Sequence, residues 1–340
     1  MARTPKPNRT VSDRTPTAQP LPGLRSIVVP LDGSELSESA LPMALSLARM
    51  SGATVYAVHV LVPAPLDTHV PGLFDTARNV NQAFEQQARD YLKEVERRHA
   101  GAAGTPLVVE LLGSHAPNDS LGDTRSVVAA LGGAVQRRKP DLIVMTSHGG
   151  GGASRVWLGS VADDVIRRSG VPVLLVHAEA PAASTLFTHI LVPLDGSGLS
   201  EQVLPIARVL ASQSGARLTL LRVLIPLQAV ARPAPVARVD KEDLARKRVD
   251  AEEYFRRIRA SFDLAANTLD TALVVDKNPG RAIIDFADTH QVDLIAMTTQ
   301  GLGGVKRLLI GSTADKIVRG SRGNVLVYRG TAEARRGGGR

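Results

Sequence analysis

The chain repeats itself, and no other feature constrains its fold as strongly. Residues 27–61, IVVPLDGSELSESALPMALSLARMSGATVYAVHVL, align without a gap to residues 190–224, ILVPLDGSGLSEQVLPIARVLASQSGARLTLLRVL, with 20 of 35 positions identical. A second block, TSHGGGGASRVWLGSVADDVIRRSG from Thr146, matches TTQGLGGVKRLLIGSTADKIVRGSR from Thr298. The offset between copies falls from 163 to 152, so the first copy carries 11 net extra residues between the two blocks. At ~100 to 200 residues per domain, 340 residues suit two domains. The expected organisation is a basic, Pro-rich disordered leader (1–24), a first domain (25–180), an Ala/Pro/Ser-rich linker (181–186), a second domain (187–330) and a disordered Gly/Arg tail (331–340).

Within each copy, hydrophobic periods alternate between strand and helix. The β-branched run 27–31 leads through Asp-Gly-Ser into a helical pattern at Leu36, Ala40, Leu41, Ala44, Leu47 and Ala48, and Gly52 punctuates before the apolar run 55–62. A Pro-rich loop and a charged amphipathic helix follow (84–99; 243–262), then strands at 107–112 and 273–275. A third helix reaches a strand at 141–147 (293–299), and a last helix from about Ser154 ends at a strand at 172–177 (324–329). Short buried strands alternating with helices imply a parallel sheet with helices on both faces, five strands per copy.

The charge balance of 41 Lys plus Arg against 33 Asp plus Glu, +8 in all, invites a polyanion partner. Its placement argues against one. Residues 1–26 carry +4 and residues 329–340 carry +3, leaving +1 for everything between. Aromatics at 3% are too sparse for base-stacking platforms, so nucleic acid is not the expected partner. The absence of cysteine rules out disulfides and thiolate chemistry and suits a reducing cytoplasm, the expected location. No apolar run approaches the ~18 to 20 residues of a membrane span, and the first residues lack the apolar stretch of a signal peptide, so no membrane association is expected.

In an open parallel sheet, ligands bind beyond the carboxyl ends of the strands, where the winding reverses. Two loops leave such ends. The first sets Asp32 (Asp195 in the second copy) before Gly-Ser at a helix start; ordinary turn chemistry explains it equally well, with Ser34 as a helix cap. The second follows the fourth strand: Thr146-Ser147-His148 and four glycines, 149–152, then Gly159-Ser160; the second copy has Thr298, Gly301, Gly303, Gly304 and then Gly311-Ser312. Consecutive glycines cost conformational entropy that a connector need not incur, and backbone N–H groups beside a helix start can cradle phosphates. No Gly-Lys-Ser/Thr follows, so this is not a Walker loop, and the glycines follow the wrong strand for a dinucleotide fingerprint.

These residues resemble the universal stress protein family in its tandem form. Nucleotide-binding members carry glycine, two residues, glycine, nine residues, then glycine with Ser or Thr; here Gly149 precedes Gly159-Ser160 and Gly301 precedes Gly311-Ser312 by nine residues, with Thr146 and Thr298 in place of the first glycine. The Asp-bearing first strand and the second-strand ends His59-Val60 and Arg222-Val223 also match. The resemblance implies two tandem Rossmann-like α/β domains, each a five-stranded parallel sheet of order 3-2-1-4-5, binding ATP, with Mg2+ as a companion, between strands one and four. By matching positions, Asp32 and Asp195 would meet the adenosine, the backbones of Val60 and Val223 the adenine, and Thr146, Gly149, Gly152, Gly159 and Ser160 with Thr298, Gly301, Gly304, Gly311 and Ser312 the phosphates. The family's Gly-x-Pro after the third strand reads Lys277-Asn278-Pro279 in the second copy; the first has an insertion over 113–125 that would cap its pocket, making the second the safer site. Family members commonly pair their last strands in a dimer, so 172–177 and 324–329 are expected to form an intramolecular pseudo-dimer contact, with a homodimer also open.

No catalytic constellation accompanies the loops. His59, His99, His148 and His290 are scattered, without metal-ligand spacing on one helix, and Gln300 replaces His148 in the second copy. The leading expectation is an ATP-binding stress-response regulator with little or no hydrolysis and a protein partner the sequence does not identify. The alternatives are an interaction protein with relic glycine loops and, third, an adenine-nucleotide hydrolase.

Overall fold

The computed structural model describes residues 23–62, 73–99, 104–113, 124–147, 158–177, 186–227, 236–262, 268–299 and 311–330. Residues 1–22 of the leader, most of the linker, the tail, residues 114–123 of the first-copy insertion, and His148, Gly149, Gly152, Gly301 and Gly304 lie outside these residues.

The first half runs β1 (Ser26–Leu31), α1 (Glu35–Glu38), α2 (Leu41–Ser51), β2 (Thr54–Leu61), α3 (Leu73–His99), β3 (Leu107–Gly113), α4 (Thr124–Arg138), β4 (Leu142–Thr146), α5 (Ser160–Arg168) and β5 (Val173–Val176). The second runs β6 (His189–Pro193), a 3-10 turn (Ser200–Val203), α6 (Leu204–Ser214), β7 (Arg217–Leu224), α7 (Val236–Ala260), β8 (Leu269–Val275), α8 (Pro279–Thr289), β9 (Leu294–Thr298), α9 (Ser312–Gly320) and β10 (Asn324–Tyr328).

All ten strands join one sheet in the order β3-β2-β1-β4-β5-β10-β9-β6-β7-β8. Each half is parallel throughout and has the expected 3-2-1-4-5 order. The halves meet where β5 and β10 pair antiparallel, Val325 opposite Leu175, Leu326 opposite Leu174 and Val327 opposite Val173. This is the contact expected of the last strands, and it leaves neither as an exposed edge.

Alternation along each strand sorts the core into two layers. Ile27 and Val29 face one layer with Leu41, Leu47, Leu174, Ile190, Leu210 and Leu326; Val28 faces the other with Ile143, Ile166, Leu175, Ile283, Ile317 and Val325. Both layers draw residues from both halves, so the apolar core is continuous across the β5–β10 seam.

Three local readings change. The helical pattern over 36–48 breaks at Ser39–Ala40, because Pro42, at the start of α2, would clash with the Glu38 carbonyl in a continuous helix. Pro205 does the same at the start of α6. The last helix of the first half begins at Ser160, not near Ser154: Gly159, with φ −59° and ψ 148°, is its N-cap. The charged helices α3 and α7 and the strand β8 start earlier than their apolar periods indicated.

Candidate functional site

Within each half the register brings the described expected residues to the carboxyl ends of the strands, and because β5 and β10 run antiparallel these ends lie at opposite sides of the sheet in the two halves. Leu31 lies opposite His59, placing Asp32 and Val60 at neighbouring strand ends. Ile27 lies opposite Leu142 and Val28 opposite Ile143, which sets Thr146, the end of β4, level with the end of β1. Ile190 opposite Leu294 and Leu191 opposite Ile295 give Asp195, Val223 and Thr298 the same arrangement.

Each aspartate is built into a turn. Asp32 Oδ1 accepts the Ser34 N–H at 2.9 Å and its hydroxyl at 2.6 Å, and Ser34 Oγ accepts the Ser37 N–H at 3.1 Å, capping α1. Asp195 Oδ1 accepts the Ser197 N–H and hydroxyl at the same 2.9 and 2.6 Å, and Ser197 Oγ accepts the Ser200 N–H at 3.1 Å. Gly33 and Gly196 sit between at φ +87° and +86°, a backbone region costly for other residues.

Gly159 and Gly311 tie the last helices back to the neighbouring strand. The Gly159 N–H donates to the Ser147 carbonyl at 2.9 Å and the Gly311 N–H to the Thr299 carbonyl at 2.8 Å. A Cβ on Gly311 would stand 3.0 Å from that carbonyl oxygen, so a larger residue would push the helix start away. The first-turn N–H groups of a helix lack acceptors within it, and here the positive ends of the α5 and α9 dipoles point at the strand ends beside Asp32 and Asp195. Each half therefore sets a helix start near an aspartate-bearing turn.

Below these strand ends in the first half, a cavity of about 900 Å3 runs between α4 and α5, lined by Pro30, Leu112, Gly113, Ser126 and Ile143 and reaching Arg137. In the second half α8 and α9 are close-packed: a Cβ on Gly320 would meet Ile284 Cδ1 at 2.8 Å and one on Gly280 would meet Lys316 Cβ at 3.1 Å. The two copies thus differ beneath corresponding strand ends.

One layer of the site escaped the sequence reading. Tyr91 on α3 packs edge-on against His59, ring centroids 5.6 Å apart, and Tyr254 on α7 packs beneath Arg222, whose guanidinium carbon is 5.3 Å from the ring centre. Both phenol oxygens are buried, the first near the Glu38 carboxylate and the second near Glu201. Burial, then the nearby Glu38 and Glu201 carboxylates, raises both phenols above their ordinary range, so they stay protonated. Glu38 also takes a 2.8 Å ion pair from Arg98. The only sequence signal was that Glu and Tyr recur at matching positions of the two copies, far apart along each.

His59 and Arg222 occupy the same place with different electrostatics. Burial pushes the His59 imidazole down, opposed by a 3.0 Å contact with the Leu31 carbonyl and by the Asp32 charge, so the ring favours its neutral form. Arg222 brings a guanidinium there, and its Nη1 and Nη2 lie 2.9 Å from where a Gly196 Cβ would stand, against the Asp195 turn. No group of three or more potential metal-ligating side chains converges among the described residues, and none of their helices is long and apolar enough to cross a membrane.

A family model described as the Universal stress protein family matches residues 23–177 and again 186–329. A universal stress protein of Mycobacterium tuberculosis is 26% identical over 194 residues, 56% of this chain and 62% of that protein, so the chain spans under two thirds of that relative's length. Another from the same organism is 24% identical over 309 residues, 90% of this chain and all of that protein. Among solved structures, a universal stress protein from Archaeoglobus fulgidus superposes with a TM-score of 0.59 at 21% identity, covering 89% of this chain and 98% of that one. With the model matched twice in succession and its fold found in each half, the chain belongs to the universal stress protein family, as two tandem domains.

Proposed function

We propose that this protein binds ATP in one or both of its edge sites and serves as a nucleotide-responsive regulator, with hydrolysis slow or absent. The observation that carries the reading is the placement of Gly159-Ser160 and Gly311-Ser312 as helix starts tied to the ends of β4 and β9, level with the Asp32 and Asp195 turns. In this reading Asp32 and Asp195 meet the ribose and adenine side, the backbones of Val60 and Val223 hold the adenine edge, and the helix starts with Thr146 and Thr298 take the phosphates. Gly149, Gly152, Gly301 and Gly304, outside the described residues, would complete the cradle. Any Mg2+ would arrive on the phosphates, and its share of the chemistry would be charge neutralisation there.

Arg222 against the Asp195 turn makes the second site the more attractive to a polyanionic ligand, and the second site also lacks the long insertion of the first. Mass spectrometry of nucleotide released from natively purified protein, with stoichiometry per chain, tests the reading. Adenine nucleotide near one per chain supports occupancy of the second site, near two supports both, and protein that neither carries nor binds adenine nucleotide refutes it. Asp195→Ala and Gly311→Glu are expected to lower retention, the second by placing a carboxylate in the cradle.

A second reading has one observation in its favour. Asp32 and Asp195 each spend an oxygen on the local turn, as a purely structural aspartate would. In that case the protein is an interaction module whose loops are relics, and a variant unable to bind nucleotide would keep full function in cells.

A further inference from the structure

We infer that the outer edge of β8, with the arginine-lined groove beside it on α7, is a docking site for an acidic peptide in extended conformation. β8 ends the sheet, and among the described residues it pairs with β7 alone. The Leu218 N–H donates to the Thr268 carbonyl and the Asp276 N–H to the Leu224 carbonyl, so even-numbered residues of β8 turn their backbone groups toward β7. The N–H and C=O groups of Thr271 and Leu273 consequently point outward, ready to pair with an added strand.

Alongside this edge lies a groove of about 590 Å3 formed by Thr271 and Leu273 with Phe255, Arg248, Glu252, Arg256 and Arg259 of α7. Three arginines and one glutamate line it; Arg256 also pairs with Glu253, leaving Arg248 and Arg259 as the cations toward an incoming ligand. At the matching positions on α3 the first copy carries Glu85, Arg89, Lys93 and Glu96, two of each sign, with Arg89 paired to Glu85 at 2.6 Å. The surrounding helix register is shared, since Ala88, Leu92 and Val95 are buried as Ala251, Phe255 and Ile258 are. The groove-facing charges have diverged, and the divergence left an excess of arginine beside the outer edge of β8.

Those two features together select the partner. A strand edge supplies main-chain hydrogen bonds to a peptide, and guanidinium groups beside it reward carboxylates on its near face. A nucleic acid would use the charge but not the edge. The site lies at the far end of the second half from the β6–β9 crevice, beyond β7, so it stands whether or not that crevice binds nucleotide.

The test is fluorescence anisotropy of the full chain with a labelled peptide of alternating Glu with Val or Thr, at low and physiological salt. Binding that weakens with salt, falls by about tenfold or more in Arg248→Glu/Arg259→Glu, and is lost when alternate peptide amides are N-methylated supports the proposal. The corresponding edge variant is Thr271→Pro, which removes an outward N–H without touching the β7 ladder. Absence of peptide binding overturns it. So does a single-stranded oligonucleotide of equal charge that binds as tightly as the peptide, or N-methylated peptide that binds unchanged, either of which would show a general polyanion patch. Added ATP is expected to leave the peptide affinity unchanged.

Discussion

Asn324 Oδ1, at the start of β10, accepts the backbone N–H of His177 at the end of β5, 3.1 Å away and 147 positions distant in sequence. The same amide donates through Nδ2 to the Asp293 carbonyl at 3.2 Å, and the residue is 5% exposed. One side chain thereby closes the seam between the halves and fastens β10 to the segment entering β9. Asn324→Ala would take this acceptor from the His177 N–H, while the Asp293 carbonyl keeps the backbone N–H of residue 324, and is expected to cost about 1 to 3 kcal/mol. Urea unfolding of the full chain checks this, read as a lower midpoint with little change in slope.

The seam also depends on Leu174 and Leu326, which lie opposite each other and are both fully buried. Leu326→Ala is expected to destabilise by about 2 to 5 kcal/mol, since neighbours on a paired sheet relax little around a cavity. A thermal unfolding scan in which the variant matched the parent would contradict a shared core.

His189 gives the second half a pH dependence. Its Nδ1 lies 2.9 Å from Arg217 Nη2 and 3.1 Å from the His290 carbonyl, and its Nε2 lies 2.8 Å from Thr219 Oγ1. Burial is the main cause that lowers its pKa; the His290 carbonyl opposes and Arg217 reinforces the shift. A histidine held neutral in the fold binds its proton more readily when unfolded, so its stabilising share is complete above the unfolded value of ~6.5 and is lost as pH falls below it. Stability is expected to fall on acidification below that value by up to about 1.4 kcal/mol per pH unit for this group, and His189→Asn to show a shallower slope. His59 and His99 are shifted the same way and retain part of the dependence.

Gly33 and Gly196 share a positive φ but not their surroundings. A Cβ on Gly33 meets nothing within 4 Å, whereas one on Gly196 meets the Arg222 guanidinium. Gly33→Ala is expected to cost about 1 kcal/mol from backbone strain, and Gly196→Ala more, because Arg222 must also leave Tyr254. Comparing the two chemical-denaturation midpoints separates strain from displacement.

Under the ATP-binding reading, exchange of His59 and Arg222 is expected to exchange the sites' electrostatics. Arg222→His would weaken nucleotide binding in the second half by about threefold to tenfold at low salt, with less effect as salt rises, and His59→Arg would strengthen it in the first. Isothermal titration at two ionic strengths is the measurement.

The repeat, the alternation of short apolar runs with helical periods and the glycine loops after the fourth strands were legible in the sequence because each is local. A period or a composition needs no knowledge of what packs against it, and the duplication doubled the signal. The break at Ser39–Ala40 was hidden by a helical period that runs through it, although Pro42 marks the place. The start of α5 at Ser160 depends on Gly159 being held to the end of β4, a contact the period does not report.

What the tertiary structure decided is how separated side chains meet. That Tyr91 lies under His59 and Tyr254 under Arg222, that Asn324 reaches His177, and that β8 carries its outer edge beside three arginines all depend on strand order and register. The sequence by itself determined two similar α/β units and the turns that leave their strand ends, since periodicity and turn chemistry are properties of neighbouring residues. Only packing determined where the units differ, because charge and burial at a point are summed over everything that folding brings there.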